Sequence, residues 1–175
     1  MYSRVVMVPE EKLGIVILTN SMTGISTALG YELLDRFLGG KKTKWLDEGL
    51  ERDRQHRKDF YQRIAAATKP RAKDTKPRLP LKKYAGTYSG RLYGDAKVEL
   101  TDGQLRLRLL PNPDLVASLK HLHYDTFVIE WEREFAWFGK GTAQFVHDDS
   151  GKITQLKLNV PNDDLWFYEL KLMRR

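Results

Sequence analysis

The hydrophobic pattern of this chain changes period twice, and each change marks a new kind of structure. Val5 to Val8 and Ile15 to Leu18 are unbroken apolar runs around a Pro9-Glu-Glu-Lys-Leu-Gly14 turn, the pattern of paired strands buried on both faces of a sheet. A helix is expected from Ile25 to Leu38, with Ile25, Leu29, Leu33 and Phe37 on one stripe, stopped by Gly39-Gly40. One helix covers one face of a hairpin. Residues 1–40 therefore read as the last piece of a larger domain, with an apolar face left for a partner.

Between Lys44 and Thr68 the period stays helical, but the apolar residues collect at the ends: Trp45, Leu46 and Leu50 at one, Phe60, Tyr61 and Ile64 at the other. The stretch Glu51-Arg-Asp-Arg-Gln-His-Arg-Lys-Asp59 between them holds none, which predicts a helix docked at its ends with a solvated middle. Lys69-Pro-Arg-Ala-Lys-Asp-Thr-Lys-Pro-Arg-Leu-Pro80 follows as an extended, proline-stiffened spacer.

From Lys82 onward the pattern alternates. Ala96, Val98 and Leu100 oppose Lys97, Glu99 and Thr101; Leu105, Leu107 and Leu109 oppose Gln104, Arg106 and Arg108. Phe127, Ile129 and Trp131 oppose Glu130 and Glu132, and Leu156, Leu158 and Val160 oppose Gln155, Lys157 and Asn159. Turn residues separate these runs at Tyr93-Gly-Asp95, Thr101-Asp-Gly103, Pro111-Asn-Pro113, Gly139-Lys-Gly141, Asp148-Asp-Ser-Gly151 and Pro161-Asn-Asp-Asp164. About eight short antiparallel strands result, enough to close a small barrel and hide its edges. The fold class is α+β: an N-terminal β-hairpin and helices, then a small antiparallel barrel. The expected divisions are 1–40, a basic helical connector and linker at 41–78, and the barrel at 79–175.

Charge sharpens this division. The chain of 175 residues carries a formal net charge of +7. Residues 1–40 hold three basic and four acidic side chains, and residues 84–175 hold twelve and thirteen, so both are −1. Residues 41–83, with fifteen basic and six acidic, supply +9. Because acids interleave these bases and stacking aromatics are lacking, a solvated spacer is favoured over a nucleic-acid, anionic-lipid or cell-wall-polymer patch. Nucleic acid is not an expected partner. No run is long enough to span a membrane as a helix, and no basic, apolar leader precedes Val5. With zero cysteines, disulfides and thiolate metal sites are excluded.

Candidate ligand-binding residues are His121, His123, Tyr124, Trp131 and Tyr88. His121 and His123 are two apart and so share a strand face, a geometry common to metal pairs and ordinary packing. Asp125 continues that face, but three residues on one strand rarely converge on one ion. No metal, cofactor or catalytic residue is assigned. Hydrogen-bonded structural imidazoles are the plainer alternative. Likewise the aromatic set Tyr84, Tyr88, Tyr124, Phe127, Trp131, Phe135, Trp137 and Phe138 suits a core and barrel mouth, or a cage for one small ligand.

Two segments resemble known families. Val8-Pro-Glu-Glu-Lys-Leu-Gly-Ile-Val-Ile-Leu-Thr-Asn20, followed by Ile25 to Leu38, resembles the end of the catalytic domain in class C β-lactamase and penicillin-binding-protein-like serine hydrolases. Tyr84-Ala-Gly-Thr-Tyr88 and Leu119-Lys-His-Leu-His-Tyr-Asp-Thr-Phe127, with Trp131 beyond, resemble the lipocalin-like domain of unknown role that trails many of them.

Those hydrolases resemble one another in a Ser-x-x-Lys pair, a Tyr-x-Asn element and a Lys-Thr-Gly or His-x-Gly strand. No serine here has lysine three positions on: Ser118-Leu-Lys120 and Ser150-Gly-Lys152 are one residue short, no Tyr-x-Asn occurs, and Gly139-Lys-Gly-Thr142 has its letters in another order. The resemblance thus implies a non-catalytic C-terminal accessory region of a serine hydrolase whose parent acts on β-lactam, peptide or ester substrates. A small-ligand-binding module and a self-association domain are the alternatives. The implied partners are the missing catalytic domain or a second copy in a homodimer, with a small ligand in the barrel under the module reading. The implied location is periplasmic or otherwise extracytoplasmic.

Overall fold

A computed structural model describes residues 2–41, 43–135, 138–162 and 164–175, and counts and absences refer to these. Contacts divide the chain into two compact units, Met1–Tyr61 and Gln62–Arg175.

In the first unit, β1 (Ser3–Val8) and β2 (Leu13–Leu18) form an antiparallel hairpin with Val5 opposite Val16. Burial alternates, although the sequence runs are unbroken: Ile15 and Ile17 are each 8% exposed, whereas Val5, Met7, Val16 and Leu18 are 60–76% exposed. The expectation of burial on both faces is met on one only. Covering that face is α1 (Ile25–Leu38), ended by Gly39 in the left-handed conformation at φ 68°.

The helix uses the expected stripe only in part, with Ile25, Leu29 and Leu33 half-buried. Phe37 is exposed, and the buried positions of α1 are Ser26, Ala28 and Gly30. Small residues let the backbone approach closely: a Cβ on Gly30 would lie 3.6 Å from Val6, Ile17 and Arg4 side-chain carbons. The same device joins α1 to α2 (Trp45–Ala67), where a Cβ on Gly49 would lie 2.5 Å from that of Ala28. Polar clamps reinforce this crossing: Thr23 donates to Asp53 at 2.8 Å and the Trp45 indole to Asp35 at 2.7 Å. Of the expected solvated middle, residues 51–59, all but the half-buried Asp53 are exposed, while Leu50 and Tyr61, expected at the docked ends, are exposed as well.

The second unit is built on a closed antiparallel barrel of eight strands: β3 (Gly86–Gly90), β4 (Gly94–Thr101), β5 (Gln104–Leu109), β6 (Val116–His123), β7 (Thr126–Trp131), β8 (Gly141–His147), β9 (Ile153–Asn159) and β10 (Leu172–Arg174). Each pairs with the next in sequence. The short β10 closes the ring, with Leu172 opposite Leu156 and Arg174 opposite Tyr88. At Asp102-Gly103 both residues have positive φ (51° and 77°), as a tight two-residue hairpin turn requires.

Alternation places Ala96, Val98, Leu105, Leu107, Phe127, Ile129, Leu156 and Leu158 inside, each at most 3% exposed. Leu100, expected with them, is 39% exposed near the end of β4. Two aromatic clusters help to fill the interior: Tyr84, Tyr88, Phe127 and Phe145, and Trp131, Phe135, Phe138 and Phe167, each held by ring contacts at 4.8–6.2 Å. Trp137 lies outside the described residues.

Candidate functional site

One carboxylate organises the β6–β7 turn. Asp125 Oδ1 accepts hydrogen bonds from the buried Tyr84 hydroxyl and from the Arg78 backbone N–H (2.9 Å). Asp125 Oδ2 lies 3.1 Å from Nε2 of His147, an ion pair when that ring carries both protons, but off hydrogen-bond alignment. The other ring nitrogen of His147 must be its donor atom, because it faces the Gly151 carbonyl at 3.0 Å. Burial, then the bond to Asp125, pushes the Tyr84 hydroxyl up to about 12.

The same turn captures the segment expected to be a solvated spacer. Thr75 Oγ1 accepts from the Tyr124 N–H at 3.0 Å, Arg78 N–H reaches Asp125, and Leu79 N–H donates to the Tyr84 hydroxyl at 3.2 Å. His123 Nδ1 faces Arg71 N–H at 3.4 Å. Residues 71–79 are therefore a strap fastened by backbone groups. Prolines at 70, 77 and 80 limit the conformations it would otherwise sample.

Beside this strap opens a cleft of about 740 Å³ on the outer surface of β8 and β9. Cross-strand pairing sets its floor, with Thr142 opposite Asn159, Gln144 opposite Lys157, and Gln155 the next outward position of β9. Arg71, His123 and Tyr124 line it, as do Tyr168 and Lys171. Lys171 follows the 3-10 turn Phe167–Leu170 in the left-handed region, at φ 41°.

The family described as a domain of unknown function (DUF3471) matches residues 70–174. The chain belongs to that family. Its match takes in both the strap and the barrel that the strap fastens to. Among solved structures, the C-terminal domain of penicillin binding protein Rv0907 is similar at 31% identity, covering 61% of this chain and 93% of its own, with a TM-score of 0.46. No curated protein matches.

Within the DUF3471 barrel the five candidate residues do not converge. His123 and Tyr124 line the cleft, and Tyr124 is 59% exposed at a positive φ of 46°. His121 bonds the Tyr124 carbonyl at 2.9 Å, and its ring meets that of Phe127. A register shift between His121 and His123 interrupts the alternation from which a shared face was expected. Tyr88 is fully buried and donates to the Tyr84 carbonyl at 2.7 Å, while the Trp131 indole donates to the Gly139 carbonyl at 2.9 Å. Both belong to the core. Burial, followed by the charge of Arg71 and the neighbouring His121 ring, holds His123 below the ordinary imidazole value.

Sequence reasoning missed His147, Lys157, Lys171 and the amides of β8 and β9. The outward residues of β9 were legible in the alternation as polar positions; that the 167–171 turn would wall them in was not. Among the described residues no group of three His, Cys, Asp or Glu side chains is arranged to hold a metal, and no helix is long and apolar enough to cross a membrane.

Proposed function

We propose that this chain is a non-catalytic accessory region of a penicillin-binding-protein-like serine hydrolase, in which the DUF3471 barrel trails the end of a catalytic domain. The observation that carries the proposal is the hairpin's open face. Val5, Met7, Val16 and Leu18 are apolar, exposed and on the side of the β1–β2 sheet opposite α1, which is how a piece of a larger layered sheet looks when its neighbour is absent.

Two further features support it. The wording of residues 8–38 resembles the close of such a hydrolase domain, and the order of hairpin before barrel fits a trailing position. That is also the position named for the similar domain of the penicillin binding protein. On this proposal the open face is closed by the hydrolase domain, or by a second copy when the chain is alone.

A serine hydrolase needs a nucleophile beside its base and an oxyanion site, and the motifs that supply them are absent from this sequence. The purified chain is accordingly expected to leave nitrocefin and p-nitrophenyl esters unhydrolysed. Saturable turnover abolished by replacing one serine overturns the proposal.

A further inference from the structure

Independently of the accessory role, we propose that the outer cleft of β8 and β9 binds an acidic saccharide: a hydroxyl-rich chain that bears carboxylates. Three cations line the cleft, Arg71, Lys157 and Lys171, and none forms an ion pair among the described residues. The carboxylate in the lining, Asp125, accepts from Tyr84 and Arg78 through Oδ1, and its Oδ2 lies 3.1 Å from Nε2 of His147. The cleft thus presents positive charge that the fold itself does not consume, the complement of an anion.

Neutral hydrogen-bonding groups narrow the class. Gln144, Gln155 and Asn159 rise from the floor, and no hydrogen bond from these amide side chains is seen among the described residues. Each offers a donor and an acceptor together, the match for hydroxyl groups. Outward positions on a strand recur about every 6.8 Å, so the pairs Thr142–Asn159 and Gln144–Lys157, with Gln155 beyond them, meet a chain at successive points. Tyr124 and Tyr168, 59% and 69% exposed, add aromatic faces against which sugar C–H groups can pack. Closely spaced phosphates of a nucleic acid would call for more cations and fewer amides than this floor supplies.

The test uses the full chain and four probes: trigalacturonic acid, neutral cellotriose, inorganic phosphate and a single-stranded oligonucleotide. Amide NMR titration is expected to show trigalacturonic acid shifting residues of β8, β9 and the 168–171 turn, with cellotriose and phosphate each bound about 10-fold more weakly or worse. Lys157→Glu is expected to weaken trigalacturonic acid by about 10-fold. The double variant Gln144→Ala/Gln155→Ala should weaken it while leaving the weak phosphate shifts unchanged. The proposal is overturned if wild type shows no saturable shifts at millimolar trigalacturonic acid. It is equally overturned if the shifts fall elsewhere, if phosphate or a single-stranded oligonucleotide binds as tightly, or if Lys157→Glu changes nothing.

Discussion

The hydroxyl of Tyr84, fully buried at the entry to the barrel, donates to the carboxylate of Asp125 at the β6–β7 turn, forty-one positions later in the chain. That bond stands at the centre of a polar network. Arg78 N–H donates to the same carboxylate and Leu79 N–H to the same hydroxyl, so the strap and the barrel are held through two side chains. Removing either leaves buried partners unsatisfied, which costs more than the net worth of one bond.

Asp125→Ala is accordingly expected to destabilise the protein by about 2–3 kcal/mol, and Tyr84→Phe by about 1–2 kcal/mol. The double variant should cost less than their sum, because both remove one shared bond. Urea unfolding measures all three. Hydrogen exchange at the Arg78 and Leu79 amides should accelerate in both single variants; unchanged exchange would show that the strap is held by other groups.

Acid should loosen the same region through His123. Its value in the folded protein is lowered from the ordinary 6.5, so the unfolded chain binds more protons between the lowered value and 6.5. Stability contributed by the neutral ring is complete above about pH 6.5 and is lost as pH falls through that window. Protonation also removes Nδ1 as the acceptor for Arg71 N–H. His123→Gln should flatten this part of the stability profile between pH 7 and pH 5, measured by urea midpoints. A variant profile parallel to wild type would rule out His123 as the source.

In the first unit, Gly49→Ala should separate α1 from α2. The added methyl would meet the Cβ of Ala28 at 2.5 Å, with helix backbone behind both, so about 1–3 kcal/mol is expected from overpacking, outweighing the roughly 1 kcal/mol that alanine gains over glycine in an open helix. Thermal unfolding of the variant checks it, and a raised midpoint would mean that the crossing is looser than described.

Repetitive features of the fold were legible in the sequence, and singular ones were not. Leu105, Leu107 and Leu109 announce β5 because alternation repeats, and α1 runs from Ile25 to Leu38 as its period and Gly39-Gly40 stop imply. On α1 the apolar stripe marks half-buried positions, whereas the fully buried ones, Ser26, Ala28 and Gly30, carry little hydrophobic signal because close packing rewards small residues. β10 is only three residues long, so its role in closing the barrel is set by its neighbours β3 and β9. Asp125 and His147 are twenty-two positions apart, and their pairing leaves no periodic trace. The pair His121 and His123 was readable as candidate chemistry, yet the register shift between them is a local backbone event that alternation does not encode.

The account turns on the open face of the hairpin, and sedimentation velocity of the purified full chain tests it most directly. A homodimer is expected across the micromolar range, shifting to monomer or to insoluble protein when Val16 and Leu18, 64% and 76% exposed, are both replaced by lysine. A wild-type chain that sediments as a compact monomer at high micromolar concentration would show that this apolar face does not close on a second copy, and would contradict the account.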